Sequence, residues 1–231
     1  MSSFLTTFQS TWLSWRSVSM LGDSGLMIPM AIVIGLTLAF SQGTRRLALW
    51  WTLFWGATGG LVLATKLAFF MWGVGSARFD FTGLSGHATL AALIWPAAMW
   101  LLVAHRTALS TTLWVMTGFL MGAAIAYSRV ELNDHSSSEA IIGFVAGSLM
   151  GLGFWGLVRG CQPIRIRHAG WAGAALLVLV VVQHGRPTPT QDWIRLVSAR
   201  LTGTSPFGRP DLHRATGTDY LGRVPTARNL Q

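Results

Sequence analysis

The sequence predicts an all-α, polytopic membrane helix bundle with about six transmembrane helices and an N-terminal interfacial helix. Of its 231 residues, 52% are hydrophobic and only 11% are charged, whereas a soluble domain has about 25% charged residues. The charges are concentrated in links and in the C-terminal tail, so that long uncharged runs remain, as in proteins that cross a membrane several times. The 12 tryptophans suit anchoring at the membrane–water interface or packing between helices.

The chain is basic, with a formal net charge of +9. In a membrane protein this charge predicts contact with anionic lipid headgroups and control of topology. No recognition motif for nucleic acid accompanies the charge, so no nucleic-acid partner is expected. The single cysteine, Cys161, excludes an intramolecular disulfide and a cysteine-based metal site.

The N-terminal part is not apolar enough to span a membrane. Three parts are predicted in all: an interfacial amphipathic helix over 1–22, a transmembrane domain over 23–184 and an Arg-rich tail over 185–231. Aromatic residues recur at steps of three and four residues in the first part, at Phe4, Phe8, Trp12 and Trp15. This spacing gives one apolar helix face, which would lie in the headgroups or pack on a neighbouring helix.

Apolar runs predict six spans, at residues 26–41, 47–65, 88–104, 109–127, 140–158 and 169–183. The first run has Pro29 near its start, where a missing N–H is tolerated. Its end, Ala39-Phe40-Ser41, also permits an interpretation as a signal-peptide cleavage site, although the preceding region is long and has only Arg16 as a basic residue. The last run is shorter than the ~20 residues that a span needs, so five spans are the alternative.

Two further segments are apolar without being predicted spans. Residues 67–84 contain three glycines and the charges Arg78 and Asp80, and are expected to lie at the interface or dip into it. Residues 191–201 of the tail predict one amphipathic helix. Beyond residue 203 little regular structure is expected.

Basic clusters predict the topology. Arg45-Arg46, His105-Arg106 and the basic residues of 159–167 fall on one side, which the positive-inside rule makes cytoplasmic. The two polar links, 66–87 and 128–139, then fall together on the outer side. Six spans would also put the basic tail outside, which the rule disfavours, whereas five would put it in the cytoplasm.

The second link contains an arginine, a histidine and an acid. His135 and Glu139 are four residues apart, so they share a helix face if a helix begins near Ser136. A carboxylate on one imidazole nitrogen fixes the tautomer and leaves the other nitrogen free to attack or bind. Arg129 supplies a planar fork for two phosphate oxygens. Alternatively, Ser136-x-x-Glu139 is a capping box, which would explain Glu139 without catalysis.

The first link ends in Ser85-Gly86-His87, at the start of the third span. A helix N-terminus presents free N–H groups that favour an anion, and Gly86 lets the backbone come close to a ligand. His87 would then be a proton donor at the edge of the site. Alternatively, Ser85 is an N-cap and His87 an interfacial polar residue. Lys66 and Arg78 add charge at the same face, or are snorkelling residues at span ends.

The parity of the spans brings both links to one membrane face. Two histidines, three cations and an acid would surround one anion-sized space, which suffices to cleave a phosphate ester. No metal is required, and the acids and histidines are too few for a magnesium or zinc cage. No cofactor is expected.

Ser85-Gly86-His87 followed by Ser128-Arg129-x5-His135-x3-Glu139 resembles the second and third signature motifs of the type 2 phosphatidic acid phosphatase superfamily. This group includes membrane lipid-phosphate phosphatases, bacterial undecaprenyl-pyrophosphate phosphatases and soluble vanadium haloperoxidases. The resemblance covers residues 47–158. It implies a membrane phosphatase that hydrolyses a lipid-linked phosphate or pyrophosphate through a phosphohistidine, in a bacterial inner membrane with the site facing the periplasm.

The resemblance also implies roles for individual residues. His135 would be the nucleophile, Glu139 would hold it, and His87 would protonate the leaving group. The phosphate-binding residues would be Lys66, Arg78, Ser85, Gly86 and Arg129. The chain departs from the family pattern at three places: Leu84 replaces a proline, Glu139 replaces an aspartate, and Arg78 follows Lys66 by twelve residues instead of about seven.

Two other functions remain open from the sequence. A phosphotransferase would pass the same phosphoryl group to a sugar or lipid acceptor instead of water. A scaffold or transporter with a degenerate anion site is favoured by the altered first motif and the basic tail. The nearly charge-free spans argue against a transporter, which should have polar residues inside its spans.

Overall fold

The computed structural model describes residues 14–104, 106–159, 169–183 and 186–214. These residues form helices α1 Trp15–Met20, α2 Ser24–Phe40, α3 Arg45–Trp72, α4 Gly86–Val103, α5 Ala108–Glu131, α6 Ser137–Arg159, α7 Ala169–Gln183, α8 Thr190–Thr202 and α9 Arg209–Arg214. Within the same ranges the one strand-like pairing is a bridge between Ser76 and Phe81. The predicted all-α fold is confirmed.

Four helices, α3 to α6, are long and apolar enough to cross a membrane. Their length and composition indicate an integral membrane protein. The flanking helices α2 and α7 are also apolar, but have 17 and 15 residues and fall short of the ~20 that a span needs. Of the predicted N-terminal helix, Phe4, Phe8 and Trp12 lie outside the described residues, and α1 begins at Trp15.

The six helices α2 to α7 run alternately between the two ends of the bundle. α4 starts at Gly86 and runs away from the two polar links. Gly173, in the first half of α7, packs against Leu102 near the other end of α4. Thr188, just after α7, donates its N–H to Asp23 at the start of α2, with N and Oδ2 3.2 Å apart. The tail therefore returns to the end that carries the links.

α4 lies at the centre of the bundle, and glycines on its neighbours set how closely they approach. A methyl group at Gly147 of α6 would overlap the carbonyl group of Thr89 in α4. A methyl group at Gly118 of α5 would overlap the backbone of Pro96. The backbones of α5 and α6 thus pack directly on the backbone of α4, which holds α4 rigidly between them. It thereby fixes the start of α4 relative to the second polar link.

Helical structure extends further than predicted in two places. α3 continues past residue 65 to Trp72 and is closed by Gly73 in a left-handed conformation, with φ of 66°. Lys66 is therefore inside a helix and not at its end. Regular structure also continues beyond residue 203, because Leu212 of α9 packs on Phe69 and Phe70 at the end of α3. The apolar residues 67–72 extend α3 so that it meets the tail. The amphipathic helix predicted at 191–201 is confirmed by α8.

Candidate active site

The two polar links and the tail meet around one cavity of about 530 Å³. Five of the predicted site residues line it: Lys66, Gly86, His87, Arg129 and His135. The other walls come from α1, the start of α2, and tail residues of 187–194. Residues almost fifty positions apart in sequence thus share one space, as the parity of the spans predicted.

His135 is held by Glu139. Nδ1 of His135 lies 2.7 Å from Oε2 of Glu139, so the tautomer that fits donates the Nδ1 proton to the carboxylate. Glu139 is fully buried. Its other oxygen accepts hydrogen bonds from the N–H and the hydroxyl of Thr82, at 2.7 and 2.5 Å. The pairing of His135 with Glu139 leaves Nε2 of the imidazole for a ligand.

The same carboxylate also caps α6. The N–H of Ser136 donates to Oε2 of Glu139 at 3.2 Å, and the N–H of Glu139 donates to the Ser136 hydroxyl at 3.3 Å. This reciprocal pair is a capping box. The two interpretations that the sequence left open are therefore both realised, because one carboxylate serves the helix end and the histidine.

His135 is shielded from water, with 8% of its side chain exposed. Burial lowers the pKa of its imidazole below the usual 6.5, and the charges of Lys66 and Arg129 act in the same direction. The hydrogen bond to Glu139 opposes them without reversing the shift. His135 is consequently neutral at pH 7, as a nucleophile must be.

The first link is tied to α3 and to the start of α6. Leu84 donates its N–H to the Thr65 hydroxyl at 3.2 Å, and Ser85 donates its N–H to the Glu139 carbonyl at 3.3 Å. Ser85 occupies the N-cap position of α4, but its side chain makes no capping hydrogen bond. The Ser85 hydroxyl is buried and has no hydrogen-bond partner among the described residues. A buried hydroxyl of this kind is expected to have a ligand.

Arg129 is anchored at one end of its guanidinium group. Its Nη1 donates to the Ser19 hydroxyl at 2.6 Å and lies 2.9 Å from Oδ2 of Asp134. Its Nε is buried and, within the described ranges, has no acceptor. This orphan donor and the Ser85 hydroxyl are unsatisfied polar groups of the kind that an oxyanion would satisfy.

His87 faces a carboxylate that was not predicted. Its Nε2 lies 3.7 Å from Oδ2 of Asp23, and Asp23 is buried at the start of α2. The other oxygen of Asp23 caps α2 by accepting the N–H of Gly25 at 2.8 Å. The preceding Gly22 packs closely on both α4 and α5, since a methyl group there would lie 3.2 Å from Cβ of His87 and 2.5 Å from Cγ2 of Ile125.

Lys66 and Arg78 have different environments. Lys66 is buried in α3 and lines the cavity. Arg78 is exposed in a turn closed by paired backbone hydrogen bonds between Ser76 and Phe81, and its guanidinium group lies over the Phe79 ring, 5.5 Å from the centroid. Arg78 does not line the cavity, because this turn points it away. Neither Ser85 nor Glu139 lines it, and the carboxylate of Glu139 contacts the cavity-lining His135.

Several site residues were missed. Arg16 and Ser19 of α1 line the cavity, as does Asp23. The sequence could have indicated a structural role for Asp23, because an acid just before an apolar run is a typical N-cap. No sequence pattern indicated Arg209 of α9, yet its Nη2 lies 2.7 Å from Oε2 of Glu139. In the described part of the chain, no group of three or more His, Cys, Asp or Glu side chains is arranged to hold a metal ion.

Neither the protein-family models nor the solved structures contain a match to this chain. The resemblance to the phosphatase superfamily therefore stays a prediction. One curated relative, described as an uncharacterized 22.5 kDa protein in the cps region of Klebsiella pneumoniae, is 35% identical over 206 residues. The match covers 87% of this chain and 99% of the relative. At that identity and coverage, the chain belongs to the same family as this Klebsiella protein.

Proposed function

We propose that the protein is a membrane phosphatase that hydrolyses a lipid-linked phosphate or pyrophosphate through a phosphohistidine. The observation that carries the proposal is the shared cavity: His135, oriented by Glu139 at 2.7 Å, and His87 line the same space. A nucleophile oriented by an acid and a second proton-carrying group at one cavity are the parts that such a reaction needs.

The proposed reaction has two steps. In the first, Nε2 of His135 attacks phosphorus, the bond from phosphorus to the leaving oxygen breaks, and protonated His87 gives its proton to that oxygen. In the second, water attacks the phosphohistidine, the P–N bond breaks, and His87 takes a proton from the water. Inorganic phosphate leaves, and both histidines return to their starting states.

Three groups that line the cavity would hold the phosphoryl oxygens. The buried Nε of Arg129 lacks an acceptor among the described residues, and the Ser85 hydroxyl, which lies outside the lining, would join it only if its side chain turned toward the substrate. The first N–H groups of α4, beginning at Gly86, have no intrahelical acceptor and favour an anion. Lys66 contributes a positive charge to the cavity wall. Charge that develops on the transferring phosphoryl group would be stabilised by these groups.

A lipid substrate fits the position of the cavity. It lies at the end of four apolar helices, and apolar side chains complete its lining: Met20, Val62, Leu90, Leu132 and Ile194. The basic residues Arg45, Arg46 and Arg159 lie at the ends of α3 and α6 remote from the cavity. The positive-inside rule would put those ends in the cytoplasm. We therefore place the site on the periplasmic face of a bacterial inner membrane, with anionic lipids around the basic surface.

A phosphotransferase is the second candidate. The cavity of about 530 Å³ exceeds what one phosphate fills, and uncharged hydrogen-bonding side chains of the tail, Thr188, Thr190 and Gln191, line part of it. A hydroxyl-bearing acceptor placed there would take the phosphoryl group from His135 in place of water.

The test is phosphate release by the detergent-purified protein. The substrates are phosphatidic acid, phosphatidylglycerol phosphate, undecaprenyl phosphate and pyrophosphate, and a lipid A phosphate. We expect release from at least one, its loss in His135→Ala, and acid-labile, base-stable label on the wild-type protein after quenching with ³²P substrate. His168→Asn, remote in sequence from both links, is the control. Near-normal release by folded His135→Ala would overturn the proposal. Transfer of label to added sugar or lipid alcohols would favour the second candidate.

His87 is tested separately through the leaving group. If His87 protonates the leaving oxygen, its loss should matter least when that oxygen needs no proton. We expect His87→Asn to lower turnover of an alkyl phosphate by about 10²-fold or more and that of p-nitrophenyl phosphate by much less. Equal losses on both substrates would assign His87 to binding and not to proton transfer.

A further inference from the structure

The tail contributes a cation to the acid that orients His135. Nη2 of Arg209 lies 2.7 Å from Oε2 of Glu139, the same oxygen that faces Nδ1 of His135. Nη1 of Arg209 is paired with Asp80 of the first link. Glu139 is fully buried, whereas the Arg209 side chain is 36% exposed. The guanidinium group therefore approaches the buried carboxylate from the solvent side of the site.

The segment that carries Arg209 is fixed to the bundle on both sides. Before it, the N–H of Phe207 donates to the Phe70 carbonyl at 3.0 Å. After it, Leu212 is 1% exposed and packs on Phe69 and Phe70. Nε2 of His213 lies 2.8 Å from Oδ1 of Asp80. Arg209 thus sits on an anchored element, so its position is set by packing and not by the ion pair alone.

A cation at this oxygen has two physical effects. It fixes the rotamer of Glu139 by a charge-assisted hydrogen bond, which is stronger than a neutral one. It also offsets the negative charge beside His135, so that the imidazole is less readily protonated. Hydrogen-bond partners of metal ligands typically change activity by ~10–100-fold when they are removed, and we expect the same scale for a partner of the carboxylate that orients His135.

We propose that Arg209 is a positioning residue of the active site, which acts through Glu139 on His135, and that the tail is therefore part of the catalytic apparatus. The expected effect of Arg209 on kcat rests on the proposed function. Its expected effect on the pKa of His135 does not depend on any substrate. If the ion pairs of Arg209 only held α9 in place, their removal would leave the pKa of His135 unchanged.

The titration of His135 has contributions from every element around it. The charged and titratable groups around it are Lys66 of α3, His87 of α4, Arg129 of α5 and Glu139 of α6, and Arg209 of α9 faces the Glu139 carboxylate. Arg16, Asp23 and Asp134 line the same cavity. Replacing Arg209 by glutamine removes one positive charge from this set and leaves Glu139 uncompensated on that side. The pKa of His135 should then rise, because the imidazolium form gains from a less neutralised carboxylate.

The experiment compares full-length wild type with Arg209→Gln, Arg209→Lys and the matched control Arg195→Gln. Arg195 is also in the tail and stacks on Phe70, 5.2 Å from the ring centroid, and no ion pair joins it to a carboxylate of the described residues. NMR of ¹³C-histidine-labelled protein in detergent follows the titration of His135, assigned with His135→Asn. Phosphate release gives kcat and KM.

We expect Arg209→Gln to lower kcat ~10–100-fold with little change in KM, and to raise the pKa of His135. Arg209→Lys, which keeps the charge, should restore most of the titration and part of kcat, while Arg195→Gln should change neither. An unmoved titration in Arg209→Gln, or an equal shift in Arg195→Gln, would overturn the proposal. If Arg209→Gln does not fold, Arg209→Met, which also removes the charge but keeps an unbranched side chain, takes its place with the same expected and contradicting results. If wild type releases no phosphate, the proposed function fails while the titration still decides the role of Arg209.

Discussion

Nε2 of His87 lies 3.7 Å from Oδ2 of Asp23, which is 5% exposed at the first turn of α2. The proposed proton donor therefore has its own carboxylate, as the proposed nucleophile has Glu139. A carboxylate this close helps to fix the direction of the imidazole ring. Each of the two histidines therefore lies beside a buried carboxylate.

Asp23→Asn should lower kcat for an alkyl phosphate by about 10-fold or more, within the range that general acid catalysis contributes. Asparagine caps a helix as well as aspartate does, so α2 should keep its start, while the hydrogen bond from the Thr188 N–H to Oδ2 is lost. Kinetics with alkyl and p-nitrophenyl phosphates measure the effect. Asp192→Asn, in the first turn of α8, is the control. If kcat for the alkyl phosphate is unchanged in Asp23→Asn, Asp23 takes no part in proton transfer to the leaving group.

The acid limb of the pH profile should lie below pH 6.5. Burial holds the pKa of His135 under its usual 6.5, so the nucleophile stays unprotonated as the pH falls to that value. Below its own pKa, His135 binds a proton and log(kcat/KM) should fall with a slope of one. A profile from pH 4.5 to 8 measures this. An acid limb at or above pH 7 that His87→Asn leaves in place would contradict the environment described for His135.

Gly147→Ala should destabilise the bundle by about 1–3 kcal/mol or more, because the methyl group would overlap the Thr89 carbonyl and force α6 away from α4. Gly156 is the matched control on the same helix, since nothing lies within 4 Å of an added Cβ there. Gly156→Ala should be neutral or stabilising by up to about 1 kcal/mol. Thermal unfolding in detergent compares the two, and equal midpoints would show that α4 and α6 are not packed backbone to backbone.

Six crossings should put the first link and the tail on one side of the membrane. In a background without Cys161, cysteines at the exposed positions Arg78 and Thr204 should react with a membrane-impermeant maleimide in intact cells. The natural Cys161, between α6 and α7, should react only after permeabilisation. Reaction of position 204 only after permeabilisation would mean that α7 does not cross, and that the chain has five crossings.

The sequence predicted the convergence of the two links because that required only the order of apolar runs and their parity. Hydrophobic periodicity also predicted α8 correctly, since an amphipathic face is a local pattern. The end of α3 was missed because residues 67–72 are apolar but are followed by glycines and charges, and only the contact of Phe69 and Phe70 with Leu212 explains the extra turns.

The site was predictable where its residues lie in sequence-local motifs. His135 and Glu139 are one helical turn apart, so their contact follows from the helix start. Arg209 and Glu139 are joined only through tertiary packing of the tail, which no local pattern encodes. Arg78 was expected beside Lys66 because both are cations of one link. The turn from Ser76 to Phe81 directs it elsewhere.

The capping box at Ser136 links the proposed catalytic activity to local folding. The carboxylate that orients His135 also closes the first turn of α6, so the imidazole loses its orientation whenever that turn frays. Inactivation by heat or denaturant should therefore precede global unfolding of the bundle. Loss of the proposed activity would then report the opening of the single turn from Ser136 to Glu139, while the rest of α6 and the other helices are still folded.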